Sequence, residues 1–280
     1  MKPYGDLPHP FSDREYSSIV LLPVPYDATS TWIKGADRGP AALLEASANM
    51  ELYDIETDTE VFRKGIHTDA PLTPPDNPEA MVFQVEERVD EWLRQKKMVV
   101  TLGGEHSISL GAVRAHHNRY PEMSVLQLDA HTDLRPEYEG SPYNHACVMS
   151  RIREHCPITQ VGIRSMDAAE RAFIQPDRFF PQEQLIREKG WMDRVVDTLS
   201  EKVYLTLDLD VLDPSVMPST GTPEPGGMEW YSLLALLRNV AEKREIIGFD
   251  VVELCPLESN KAPDFLAAKL IYKILSYIFK

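Results

Sequence analysis

The stretch VLQLDAHTD, Val125–Asp133, sets an apolar run directly against three titratable groups. Val125, Leu126 and Leu128 read as a buried strand, and Asp129, His131 and Asp133 follow at alternate positions. A strand points residues i, i+2 and i+4 to one side. If the backbone stays extended, the three groups converge on one spot where a core strand stops. Burying carboxylates without partners is costly, so the pattern calls for positive charge at that spot.

Similar apolar runs recur at 18–24 (SIVLLPV), Met98–Leu102, Ile158–Ile163, Val203–Leu209 and Ile246–Val252. Between them lie segments with helical spacing at 79–97, 107–117, 183–200, 229–243 and 262–279. A further helix opens at Gly39-Pro40, where a proline without its N–H does no harm. Nearly continuous apolar strands alternating with helices predict an α/β fold, a parallel sheet covered on both faces. PLTPPDNP (71–78) and PSVMPSTGTPEP (214–225) read as loops. No shift in composition or internal repeat divides the chain, so one domain over 1–280 is expected, with a polar, Pro-rich N-terminal extension at 1–18.

Bulk properties narrow the functional classes. The chain of 280 residues carries a formal net charge of −15, which disfavours nucleic acid as a partner. Three cysteines, Cys147, Cys156 and Cys255, form no CxxC pair, so neither a disulfide scaffold nor a thiolate zinc site is expected. Cys147 and Cys156 read as core fillers. The N-terminus lacks a signal-peptide core and no apolar stretch reaches membrane-spanning length. A cytoplasmic protein with no membrane partner is the expectation. His116, His117 and His155 read as surface residues.

Four strand ends share one chemistry. GGEHS (103–107) brings His106, DAHTD brings Asp129, His131 and Asp133, LTLDLD (205–210) brings Asp208 and Asp210, and IIGFDVVE (246–253) ends in Glu253. In open α/β sheets ligands bind outside the carboxyl ends of the strands. Two imidazoles and four aspartates make an oxygen-rich ligand set with a little nitrogen, which suits Mn²⁺. Two divalent ions balance four carboxylates. A hydroxide between the ions leaves one negative charge over and favours a monocationic head group. Such ions sit about 3.5–4 Å apart and bring bound water to a pKa of about 7.

Together GGEHS, DAHTD, and TLDLDVLDP (206–214) followed by GTPEPGG (221–227) resemble the ureohydrolase family of arginases and agmatinases, in the family's order and over nearly the whole chain. The resemblance implies a three-layer α/β/α sandwich around a parallel sheet, two Mn²⁺ per chain, and a homo-oligomer, trimer or hexamer. Carried over by position, one ion would bind His106, Asp129, Asp133 and Asp208, and the other Asp129, His131, Asp208 and Asp210, with Asp129 and Asp208 bridging. Asp133 would hold the metal-bridging hydroxide. His145 would handle protons, Glu253 would grip the guanidinium, and Thr222 would line the same pocket.

The implied reaction cleaves a guanidino group to urea and an amine. The loop LRPEYEGSPYNH (134–145) resembles agmatinase loops more than arginase loops. Agmatine, giving the polyamine putrescine, is therefore the first expectation. Arginine, guanidinobutyrate and aminopropylagmatine are alternatives, and a deacetylase-like metal hydrolase is a more distant one. Glu137 or Glu139 would meet a distal ammonium, and Arg135 a carboxylate. Ala146, Ser219 and Leu254-Cys255 depart from common family residues and leave the pocket's shape open.

Overall fold

Runs rich in Val, Ile and Leu, too short to be helices, become eight strands of one sheet in a computed structural model that describes residues 1–75 and 77–280. They are β1 (Ile19–Val24), β2 (Ile66–Thr68), β3 (Met98–Gly103), β4 (Ser124–Leu128), β5 (Ile158–Ile163), β6 (Phe179–Pro181), β7 (Lys202–Asp208) and β8 (Glu245–Val252). Their order is β2-β1-β3-β8-β7-β4-β5-β6, and every neighbouring pair is parallel. The predicted parallel α/β sheet is therefore observed. Each strand predicted from the sequence is present within a residue or two of its expected ends. The sequence did not reveal β2 and β6. Each has three residues and lies at an edge of the sheet, too short to carry a periodic signal.

The helices are α1 (Gly39–Ser47), α2 (Pro78–Arg94), α3 (Ser109–Arg119), α4 (Val148–Ile152), α5 (Gln182–Arg187), α6 (Trp191–Asp197), α7 (Trp230–Lys243) and α8 (Ala262–Ile278). The single helix expected over 183–200 is two. Gly190 stands between them at φ 73°, a left-handed turn that glycine adopts readily. The loop expected over 71–78 ends sooner, because Pro78 is already the first residue of α2 and the Asn77 side chain caps it by accepting from the Ala80 N–H at 2.8 Å. Asp76 of that loop lies outside the described residues.

Alternate strand residues feed two cores. Leu126, Leu128, Leu205 and Leu207 pack with Leu43, Leu233, Leu237 and Ile271 of α1, α7 and α8. Val99, Val125 and Tyr204 face the other way, onto Val85, Leu110 and Met149 of α2, α3 and α4. The period-two side-chain alternation of a strand thus yields three layers, α/β/α. His116 departs from its expected surface position. It is buried with its Nδ1 on the Ala112 carbonyl at 2.8 Å, and burial pushes its pKa down to about 4. Cys147 and Cys156 are buried and free, as expected. Residues 1–18 contain one short 3-10 turn, Tyr4–Asp6, and the buried Tyr4 donates its hydroxyl to the Ala268 carbonyl of α8 at 2.7 Å.

The topology explains where chemistry can gather. From β3 the chain passes to β4, leaving a gap that β7 and β8 later fill. The central four strands, β3, β8, β7 and β4, are those whose carboxyl ends carry His106, Glu253, Asp208 and Asp129. No helix among the described residues is long and apolar enough to cross a membrane.

Candidate metal centre and substrate cavity

At the end of β3 the two glycines let backbones meet. Gly104 donates its N–H to the Val24 carbonyl and accepts from the Glu253 N–H at 2.8 Å, while the Glu105 N–H reaches the Tyr26 carbonyl at 2.8 Å. A Cβ on Gly104 would lie 1.9 Å from the Tyr26 carbonyl oxygen, so only glycine fits this crossing. The loops after β1, β3 and β8 are thereby tied together, and His106 is delivered buried to the centre of the sheet.

His106 Nδ1 faces three carboxylates: Asp129 at 3.1 Å, Asp133 at 3.2 Å and Asp208 at 3.5 Å. Its Nε2 is held by the Thr206 hydroxyl at 2.8 Å, and that hydroxyl donates to Asp250 at 2.7 Å. The second imidazole, His131, lies 3.0 Å from Asp210 and 3.6 Å from Asp129 through Nδ1. The six residues predicted as ligands thus come together in one place. They divide into two groups, His106–Asp129–Asp208 and Asp129–His131–Asp210, whose ligand atoms lie within 4.8 Å of one another. Asp129 belongs to both groups, and Asp133 adjoins the first through His106.

The convergence does not arise from an extended backbone, as the alternation suggested. β4 ends at Leu128, and Asp133 turns back at φ 52°, a left-handed conformation uncommon outside glycine. The Asp133 carbonyl is fixed by the Met149 and Ser150 N–H groups at the start of α4, each at 3.1 Å. Glu253 is likewise left-handed, at φ 66°, with its Oε1 accepting from the His106 N–H at 2.7 Å. Backbone strain at two site residues is the kind that functional positions retain.

Electrostatics describe a centre suited to cations. Burial and the neighbouring Asp210 and Asp129 hold Asp208 well above the usual carboxylate range. Burial and Asp129 push Asp133 up to about 6. Against the opposing effect of burial, His131 is raised to about 12 by Asp210 and Asp129. Burial would raise Asp129 too, but both imidazoles outweigh it and draw this carboxyl down. Among the described residues, those imidazoles are the only basic partners of the four aspartates. His106 Nδ1 is buried without a hydrogen bond of good geometry. A lone pair left over beside hard carboxylate oxygens fits a divalent ion of the first transition row.

A cavity of about 340 Å³ opens onto this centre. His106, His131, Asp133, Asp208, His145, Thr222 and Glu253 all line it. Burial, with His106 and His131 nearby, lowers His145 to about 4. Burial and the neighbouring Glu105 raise Glu253 well above its ordinary value. Glu137 and Glu139 are exposed and stand outside the lining. The lining instead includes Glu170 and Asp167, the latter 3.5 Å from Arg135. Arg135 also stacks over Tyr138 at 4.6 Å.

Several contributors escaped the sequence reading. Gln127, Thr206 and Asp250 are single polar residues inside apolar strands and form a buried layer beneath the centre. Their signal was present in LQL, LTL and FDV. Arg164, after β5, donates to the carbonyls of Asp210 at 2.6 Å and Glu224 at 2.8 Å, binding the Asp210 turn to the 221–227 loop. Nothing local in the sequence pairs an arginine with carbonyls 46 and 60 residues away.

A parallel sheet that presents two carboxylate–imidazole groups with a shared aspartate at its centre could hold two metal ions, the arrangement of a dinuclear metallohydrolase. The chain belongs to the arginase family of ureohydrolases: the sequence model described as "Arginase family" matches residues 17–276. It is 38% identical over 272 residues to the N(1)-aminopropylagmatine ureohydrolase of Synechocystis sp., covering 93% of this chain and 89% of that one. It is also 38% identical over 273 residues to an enzyme of the same name from Thermus thermophilus, covering 96% and 92%. Among solved structures it resembles the agmatine ureohydrolase of Thermoplasma volcanium, with a TM-score of 0.85, 31% identity, and coverage of 95% of this chain and 91% of that one.

Proposed function

We propose that the protein hydrolyses the guanidino group of an aminoalkylguanidine, releasing urea and a polyamine, with two Mn²⁺ held by His106, Asp129, His131, Asp133, Asp208 and Asp210. The observation that carries this reading is the sharing of Asp129 between two donor groups on a cavity that also holds Glu253 and His145. Hard oxygen donors with two imidazoles favour manganese over softer ions. Bound there, the ions supply a water ionised near neutral pH and positive charge for the developing oxyanion.

The chain's own residues do the rest. Glu253 takes the planar guanidinium by paired charge-assisted hydrogen bonds and presents its carbon to the centre, an orientation that removes part of the barrier. Asp133 orients the attacking water, and Thr222 closes the pocket beside Glu253. One water adds to the guanidinium carbon and the bond to the tail nitrogen breaks. The proton released by that water is taken up by the neutral His145 ring and handed to the tail nitrogen, and urea and the amine leave.

The substrate is N1-aminopropylagmatine, giving spermidine, with agmatine, giving putrescine, as the second reading. The two relatives named for the longer compound support this order, as does a cavity mouth with an exposed Trp32 and the Asp167 carboxylate. The measurement that tests it is urea release by the manganese-loaded protein from aminopropylagmatine, agmatine, arginine and guanidinobutyrate. Preference for either of the last two overturns the substrate class. Cleavage of an acetylamide with one zinc per chain, and no urea, overturns the reaction. A homo-oligomer, trimer or hexamer, belongs to the same proposal, and sedimentation decides it.

Two results should follow. Glu253→Gln keeps the shape but loses the charge on the guanidinium, and kcat/KM should fall about a hundredfold, equivalent to the roughly 1.5–3 kcal/mol of a charge-assisted bond. Chelation should lower the melting midpoint by roughly 5–10 °C, since an ion that binds only the folded chain stabilises it. Added Mn²⁺ should restore it.

A further inference from the structure

The loop after β1 carries a side chain that the reaction above does not use. Thr29 is buried, and its hydroxyl meets three groups. It donates to Glu105 Oε2, accepts from the His145 backbone N–H at 3.0 Å, and lies 3.1 Å from His145 Nδ1. Glu105 itself is fully buried, and in its ionised form it is an acceptor in every contact. Its Oε1 takes the Thr29 N–H at 3.2 Å and the Ser107 hydroxyl at 3.1 Å. Its Oε2 lies 3.6 Å from His145 Nδ1.

A hydroxyl has one proton to give and two lone pairs. Here the proton goes to the carboxylate and one lone pair to the backbone N–H. The remaining lone pair faces His145 Nδ1, which must therefore carry a hydrogen. We infer that Thr29, braced by Glu105, is a positioning residue that fixes His145 as the Nδ1–H tautomer. Nε2 is then the nitrogen left unprotonated for the cavity that His145 lines. The arrangement parallels the way an acid behind a catalytic histidine sets its tautomer, with a threonine hydroxyl interposed. The packing around the ring agrees, since Tyr138 meets it edge-on at 6.3 Å and limits its rotation. The assignment rests on the proposed role of His145 in proton transfer only for its kinetic consequence, not for its geometry.

The test pairs spectroscopy with kinetics on the full chain. ¹⁵N-histidine spectra, with magnesium as a diamagnetic occupant of the metal centre and His145→Asn to assign the signal, report which ring nitrogen bears the proton. The expected result is protonated Nδ1 and bare Nε2 in the parent protein, and loss of that preference in Thr29→Val. In parallel, Thr29→Val should lower kcat for urea release by about 10–100-fold with KM much less affected, and Thr29→Ser should restore both readouts. A parent spectrum with the proton on Nε2 overturns the inference. So does a Thr29→Val protein that loses kcat with its tautomer unchanged, or a Thr29→Ser protein as impaired as the valine variant. If the parent releases no urea from any guanidino compound, the functional reading fails, and the spectra alone still decide the tautomer.

Discussion

Asp129→Asn is expected to abolish urea release, with kcat/KM down by at least about a thousandfold. Asp129 alone belongs to both donor groups, and it lies 3.1 Å from His106 and 3.6 Å from His131. The amide keeps the volume but offers one neutral oxygen to one ion and a non-ligating NH2 to the other, because the two Asp129 oxygens face different groups. Losing a charge-assisted contact on both sides, at roughly 2–3 kcal/mol each, amounts to three or four powers of ten. Manganese content after dialysis separates the causes. Fewer than two ions per chain with a native circular dichroism spectrum supports the shared-ligand role. Two tightly held ions and near-normal turnover would contradict it. A weaker effect is expected for Asp210→Asn, which belongs to one group only.

Gly104→Ala should destabilise the protein by about 3 kcal/mol and depress activity in whatever fraction folds. The added methyl would sit 1.9 Å from the Tyr26 carbonyl oxygen and 2.8 Å from both Tyr26 C and N. These are backbone atoms, which cannot swing aside as a side chain can. The upper end of overpacking costs applies. Relief requires the β1 and β3 loops to separate. That movement would break the Glu105–Tyr26 and Glu253–Gly104 backbone bonds that align Thr29, His106 and Glu253. Denaturant unfolding gives the stability change, and urea release per folded molecule gives the effect on the site. A variant as stable and active as the parent would mean the crossing is loose. Gly140 is a useful control, because a Cβ there meets no atom within 4 Å, although its φ of 80° carries its own backbone cost.

Legibility followed the length of each signal. Strands such as Ile158–Ile163 could be read because every residue is apolar or buried and turn residues bound the run. β2 and β6 could not, because a three-residue edge strand owes its existence to the neighbour it pairs with. His116 looked like a surface residue because its helix carries polar neighbours. Its burial depends on Gly248 of β8, whose missing side chain leaves room for the ring. Glu137 and Glu139 looked like substrate contacts because they neighbour the motif in sequence, yet both are exposed outside the cavity lining, which includes Asp167 from a different segment.

Residue types and their positions at strand ends were enough to give the candidate ligand set and its location. Carboxylates and imidazoles at the ends of apolar strands must meet at one edge of a parallel sheet, because parallel strands all end on the same side. How those ligands are shared and oriented came from the folded chain. Asp133 reaches its partners through a left-handed turn anchored on α4, and Arg164 sets the Asp210 turn from another strand. Thr29 reaches His145 across 116 residues of chain. Such contacts depend on the strand order that placed β7 and β8 between β3 and β4. A local pattern of residue types carries no record of that order, because side-chain periodicity reports which face a residue takes and not which strand lies beside it.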